Sequence, residues 1–205
     1  MGVQRRRFRA LRLGAGLVCA AAVLAACGGA DPADGGGSAS PATGGSAVPT
    51  EEYTIPPRPQ VMPPSEPVLT GVELEDAAAL AEYYVKLYPY VKKTGDTAEW
   101  EKYAHPECEY CQTVIESANN MNQVGAWTDI NLGVVETAWF SSTGKLDYRM
   151  DFLVDRSEIH HYNPEGSDYL EANRHAVIIG LVVEEGLKVR SFDILDQDKF
   201  GVPEL

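Results

Sequence analysis

The sequence predicts an α+β domain, with three helices followed by four antiparallel strands over residues 70–205. Two observations lead to it. From Thr70 to Gln123 the apolar residues recur with the helical period, and from Ile130 onward they alternate or form short continuous runs. A third observation sets the domain's limits: everything before Thr70 reads as a leader and a tether. The 136 residues that remain are ample for one hydrophobic core.

The leader comes first. Arg5, Arg6, Arg7, Arg9 and Arg12 make a basic start with no acidic residue. Leu13 to Leu24 is apolar but shorter than the roughly 20 residues of a spanning helix. Leu24-Ala25-Ala26-Cys27 then has the form of a lipobox, in which small residues give a peptidase access to the bond before the cysteine. Residues 1–26 are therefore expected to be a lipoprotein signal peptide, and Cys27 the lipidated end of the mature chain. Each buried CH₂ of an acyl chain contributes about 0.8 kcal/mol, and two chains anchor stably where one does not. The expected location is the outer, extracytoplasmic face of the cell membrane. Arg5-Arg6-Arg7-Phe8 resembles a twin-arginine motif, but Gln4 stands where Ser or Thr is usual, so either export route fits.

Charge narrows the partners. The chain holds 17 basic and 30 acidic residues, net −13; loss of the leader removes five Arg and leaves net −18. Such a surface repels nucleic acid and anionic headgroups, so the lipid must hold the protein on the membrane. Residues 27–69 read as a disordered tether carrying nine of the 13 prolines. Gly28 to Thr50 is Gly/Ala/Ser-rich coil, and Ile55 to Pro67 favours stiff polyproline II. Together they would span on the order of 50 Å. A proline-rich ligand for a partner domain is the sharper alternative.

At Thr70 the pattern becomes helical. Thr70-Gly71-Val72-Glu73 has capping-box spacing, with Leu69 and Leu74 placed as a hydrophobic staple. Ala77, Leu80, Ala81, Tyr84, Val85, Leu87, Tyr88 and Val91 form a stripe wider than one face, so this helix should be buried on much of its girth. Pro89 should kink it, Gly95 suits its left-handed cap, and Asp96 suits the next N-cap. Thr97 to Ala104 reads as a second helix and Cys108 to Gln123 as a third. Ile130 to Phe140 is strand-like, with a phase slip near Gly133 that suggests a bulge. Leu146 to Val154 alternates as a half-buried strand, and Ala176 to Val183 suits a central one. Glu185-Gly186 is a two-residue hairpin signal before Leu187 to Leu195, and Tyr162 to Asn173 reads as a long loop.

Chemistry-bearing residues are few. Cys108 and Cys111, in an exported chain, should form a disulfide across the first turn of the third helix. The alternatives are a redox Cys-x-x-Cys pair, or a zinc site with His105 and a distant histidine. His160 and His161 stand at the end of the second strand and point to opposite faces. Asp147, Asp151 and Asp155, with Arg149 among them, read as a solvated face. Tyr84, Tyr88, Trp100, Trp139, Tyr148 and Phe152 are pocket candidates between the first helix and the sheet, or simply core. No Ser-His-Asp order, phosphate loop or metal-ligand set is present, so no catalytic residue, metal or cofactor is assigned.

A resemblance carries the reading further. Ala81-Glu82-Tyr83-Tyr84, Thr94-Gly95-Asp96 and Cys108-x-x-Cys111, in that order, resemble an uncharacterised group of bacterial envelope lipoproteins with a domain of unknown function. The order of elements resembles the nuclear transport factor 2-like cone: three helices on a curved four-stranded antiparallel sheet. Enzymes on that cone use an Asp or His inside the pocket; by element position, Asp96, His105 and His175 are the candidates here. The expected function is a lipid-anchored binding or scaffolding module for an envelope protein or a small apolar ligand. A pocket enzyme of isomerase or hydratase type and a redox lipoprotein are the alternatives.

Overall fold

The structure is a computed structural model and describes residues 52–141 and 144–203. The signal peptide, Cys27 and the tether as far as Glu51 lie outside the described residues. Three helices form the first half: α1 (Leu74–Thr94), α2 (Ala98–Tyr103) and α3 (Glu109–Val124). α1 is buried at Ala77, Leu80, Ala81, Tyr83, Tyr84, Val85, Leu87, Tyr88 and Val91, which takes in most of its girth. Its start differs from the capping-box expectation. Glu73 is the N-cap and makes no side-chain cap bond. Thr70 instead donates its N–H to Asp76 Oδ1 at 2.9 Å, because that first-turn carboxylate is buried and needs a donor. The end is as the sequence implies. Gly95 has φ 72° and donates its N–H to Val91 O at 2.8 Å. A Cβ there would collide with Asn122 of α3. Asp96 Oδ1 accepts from Ala98 N at 3.1 Å, although Thr97 is the formal cap of α2.

The second half corrects the expected single four-stranded sheet. Seven strands form two antiparallel sheets. β2 (Leu132–Ser141), β3 (Tyr148–Arg156), β6 (Asn173–Val183) and β7 (Leu187–Asp196) make one, in the order β2-β3-β6-β7. β1 (Trp127–Asp129), β4 (Ile159–Asn163) and β5 (Gly166–Leu170) make the other, in the order β1-β4-β5. The stretch read as a loop is a hairpin. Asn163 pairs with Gly166 across Pro164 and Glu165, and Asn163 Oδ1 accepts the Glu165 N–H at 2.9 Å. Gly166, with φ 142°, supplies backbone freedom that few other residues have. Residues 167–170 are all exposed, so β5 shows no apolar alternation to betray it. The phase slip in β2 is a bulge: Val134 pairs with Val154 and Glu136 with Leu153, leaving Val135 extra. The β6–β7 loop has three residues rather than two, since Val183 pairs with Leu187. Within it Glu185 takes φ 54° and Gly186 φ 109°.

The main core lies between α1 and the inner face of β3, β6 and β7. Met150, Phe152, Val154, Val177, Ile179, Leu181, Val189 and Phe192 meet Leu80, Tyr84, Leu87 and Val91 there. The other face of that sheet is not simply solvated. Asp151 is wholly buried and Arg149 nearly so. Arg149 Nε and Nη2 each donate to one Asp151 carboxylate oxygen at 2.8 Å. The C-terminal segment closes over the pair. Val202 O accepts from Arg149 Nη2 at 2.8 Å, and Gly201 N donates to Asp151 Oδ2 at 3.1 Å. The solvated-face reading holds only for the other two carboxylates: Asp155 is exposed and paired with Arg174, and Asp147 accepts from Val183 N at 2.7 Å.

Upstream of Thr70 the chain lies against this body. Arg58 donates from Nη1 to Thr94 O at 2.7 Å and also hydrogen-bonds Asn122 Oδ1 and Ala126 O. Its guanidinium thus meets the C-terminal ends of both α1 and α3, where helix carbonyls favour a cation. Pro56 O accepts the Trp127 indole N–H at 2.8 Å, and Glu66 accepts from Lys102 and Tyr103.

The Arg149–Asp151 pair gives a direct expectation. Arg149→Ala leaves a buried carboxylate without its partner and should lower stability by about 3–5 kcal/mol in a urea titration. Replacing both residues by apolar side chains of similar volume should recover most of that loss. Equal losses in the single and double variants would refute the account.

Candidate functional site

The six aromatic pocket candidates do not share one environment. Tyr84, Trp100 and Phe152 are at most 2% exposed and Tyr88 8%, and all four belong to the core. Tyr84 stacks on Trp100 with ring centroids 4.0 Å apart, and Phe192 meets Trp100 edge-on at 5.3 Å. Phe192 also stacks with Tyr88 at 5.8 Å and with Tyr110 at 5.5 Å. Every polar tip in this cluster is used. Tyr84 donates to Trp100 O at 2.8 Å, Trp100 Nε1 donates to Cys111 O at 3.2 Å, and the Tyr88 and Tyr110 hydroxyls lie 3.2 Å apart. Burial pushes the Tyr84 and Tyr88 hydroxyls far up, so both stay neutral. Tyr148 is half-buried and donates to Val72 O at 2.8 Å, tying β3 to the approach of α1. These residues fill space rather than enclose it. Sequence reasoning missed Phe192 and Tyr110 as members; Phe192 follows from the alternation of β7, while Tyr110 lay hidden inside the Cys-x-x-Cys motif.

The cysteines sit beside this cluster. Cys108 and Cys111 are disulfide-bonded, with Cα atoms 5.2 Å apart, and both are buried. Cys108 is the N-cap of α3 and its Sγ accepts from Cys111 N at 3.2 Å. A bridge enclosed by core is poorly placed for thiol exchange. His105 pairs through Nε2 with Glu184 at 3.0 Å and accepts the Glu107 N–H on Nδ1 at 3.1 Å. His160 and His161 are correctly read as pointing to opposite faces, but they lie within β4 rather than at the end of the preceding strand. His160 rests near Tyr169, with rings 5.4 Å apart, and His161 Nδ1 meets Thr128 Oγ1 at 2.8 Å. His175 Nε2 accepts from Arg156 Nε at 3.3 Å, and Asp96 accepts from the Tyr90 hydroxyl at 2.8 Å. The three acid–base candidates, Asp96, His105 and His175, therefore stand apart with separate local partners. Among the described residues no group of three or more His, Cys, Asp or Glu is placed to hold a metal ion.

Trp139 is the exception among the candidates: it is 58% exposed. It lies on β2, which has β3 on one side and no strand on the other among the described residues. Its register explains the exposure. Val134, Thr137 and Trp139 pair with Val154, Phe152 and Met150, whose side chains form the inner face. The core covers that face at β3 and, on β2, only at Leu132, leaving the strand exposed from Val134 onward on this face. Val134 is 41% exposed and the bulged Val135 50%. Across ten residues β2 carries a single charge, Glu136. On its opposite side Phe140 is held under Arg149, whose guanidinium carbon lies 4.8 Å from the ring centroid. The site is thus a long edge strand with free backbone groups, an apolar row and almost no charge.

Residues 62–182 match a family described as "Family of unknown function (DUF6318)". No curated protein matches the sequence. Three solved structures are similar in part. The intermembrane space region of chloroplast protein ARC6 is 10% identical, covering 61% of this chain and 98% of its own, with a TM-score of 0.46. The beta subunit of benzoate 1,2-dioxygenase from Burkholderia mallei is 10% identical, covering 63% and 94%, with a TM-score of 0.37. A structure from Catenulispora acidiphila is 12% identical, covering 62% and 97%, with a TM-score of 0.35. At these scores the likenesses carry no argument.

Trp100 and Trp127 are buried and Trp139 is exposed, so tryptophan fluorescence separates them. Trp139→Phe should remove most of the emission that acrylamide quenches in the native protein. Unchanged quenching would place Trp139 under cover.

Proposed function

The chain belongs to a family of unknown function, DUF6318, and we propose that it is a lipid-anchored envelope protein that binds another protein through the edge strand β2. The anchoring half of the reading rests on sequence: the basic start, the short apolar run and Leu24-Ala25-Ala26-Cys27. Among the described residues no helix is long and apolar enough to cross a membrane. The binding half rests on one observation, the exposed row Val134, Thr137 and Trp139 on an edge strand that is paired on one side only. A strand of this kind gains hydrogen bonds by taking up an extended segment, and its exposed side chains select what lies against it. The occupant is an extended segment of neutral or basic character. A second copy fits less well, because it would bring another chain of net −18, counted after loss of the leader, close by. Filled aromatic packing favours a protein partner over a small apolar ligand in the core.

Two outcomes are expected. Cys27→Ser should release the protein from membranes or leave it uncleaved; detergent-phase partitioning identical to wild type would refute anchoring. A photo-crosslinking residue at position 139 should trap one protein in intact cells, and one at exposed Lys86 should not. Changing Val134→Lys beside that crosslinker should abolish the product while leaving stability within about 1 kcal/mol. A product of twice the chain mass would point to self-association instead, and no product would remove the edge-strand reading.

A further inference from the structure

An open cavity of about 400 Å³ lies at the end of the four-stranded sheet where the chain enters β6. Asp155 and Arg156 line it from β3, Ala172, Asn173 and Arg174 from the start of β6 and its approach, and Gln197 from the short turn of helix after β7. Its size is that of a small-molecule site, but its wall is polar: of the lining residues, Ala172 alone is apolar. Two arginines stand against one aspartate, so the lining carries net +1 in a chain of net −13.

Arg156 is the unusual member. Among the described residues, Arg149, Arg174 and Arg190 each meet a carboxylate, and Arg58 meets the negative ends of two helices. Arg156 has neither. Its Nε donates to His175 Nε2 at 3.3 Å, its Nη1 to Ser157 O at 3.2 Å and its Nη2 to Glu171 O at 2.7 Å. Three acceptors without formal charge thus fix the guanidinium and leave its charge unopposed. A guanidinium has five N–H groups, so one on each Nη is still uncommitted. The nearby carboxylates do not take them. Asp155 spends both oxygens on Arg174, at 2.6 and 3.0 Å, Asp198 pairs with Lys199, and Asp196 makes no ion pair among the described residues. Asn173 Oδ1 accepts the Arg174 N–H at 2.8 Å, which leaves its NH₂ group uncommitted, and Gln197 brings a second carboxamide.

We propose that Arg156, Arg174, Asn173 and Gln197 form a binding site for a small hydroxylated monocarboxylate, an acid of the sugar class. One carboxylate neutralises the net charge of the lining, and the two uncommitted N–H groups of Arg156 match its planar pair of oxygens. Because its other bonds already hold the guanidinium, little ordering is lost on binding. The carboxamides donate to and accept from hydroxyls, and the scarcity of apolar wall disfavours a fatty acid. Inorganic phosphate brings a second charge that the lining does not balance. The proposal is independent of the role assigned to β2.

The test is a titration of the full chain, labelled with ¹⁵N at arginine Nε and at the Asn and Gln side-chain amides. Sodium glucuronate, uncharged glucuronamide, sodium hexanoate and sodium phosphate are added separately at constant ionic strength. Glucuronate should shift the Arg156, Arg174 and Asn173 signals saturably, and the other three should bind at least tenfold more weakly. Arg174→Gln, an exposed change, should weaken glucuronate several-fold without moving the thermal midpoint. Arg156→Lys keeps the charge but not the fork and should lose most of the response. Equal responses to glucuronate and glucuronamide, equal or tighter binding of hexanoate or phosphate, or no saturable shift at these residues would each overturn the proposal. The ligand comparison uses the unaltered chain, so it decides the matter even if Arg156→Lys fails to fold.

Discussion

Trp100 is the contact on which the helical half depends. α2 has only six residues, too few to be stable alone. It persists because its indole is completely enclosed, stacked on Tyr84 of α1, edge-on to Phe192 of β7 and hydrogen-bonded to Cys111 O of α3. One side chain thus joins three helices to the sheet. Its neighbours spend their hydroxyls inside the same cluster, so the aromatic mass is buried without an orphaned polar group. The Cys108–Cys111 bridge fixes the turn of chain that supplies the Cys111 carbonyl.

The four-stranded sheet is covered unequally. Helices close its inner face over β3, β6 and β7, and the C-terminal segment closes part of its outer face over Arg149 and Asp151. On β2 the helical cover reaches Leu132 at the start of the strand and leaves Val134, Thr137 and Trp139 exposed. An ion pair buried on one side and an exposed tryptophan on the other are two results of the same geometry: protection is concentrated on the central strands. A long edge with a single charge in an otherwise highly charged chain is a liability for aggregation unless something occupies it.

Legibility in the sequence followed periodicity. α1 could be read from its apolar stripe and from Gly95, whose backbone only glycine adopts readily beside Asn122. β3, β6 and β7 could be read from alternation or a continuous apolar run. The second sheet could not, because β1 has three residues and β5 is exposed almost throughout. Asp151 looked like its neighbours Asp147 and Asp155; its cover comes from Gly201 and Val202, some 50 residues later. The aromatic residues were identified, but a stripe of rings has the same pattern whether it lines a cavity or fills one.

The guanidinium of Arg58 has a mechanical consequence. It grips the ends of α1 and α3 together, with Pro56 held just upstream by Trp127. Tension applied to the chain before Pro56 would be carried first by these bonds and would load two helix ends in parallel. The core beneath Thr70 would feel that load only after they part. Under the proposed N-terminal anchoring, the segment would work as a strain relief, like the clamp where a cable enters its housing.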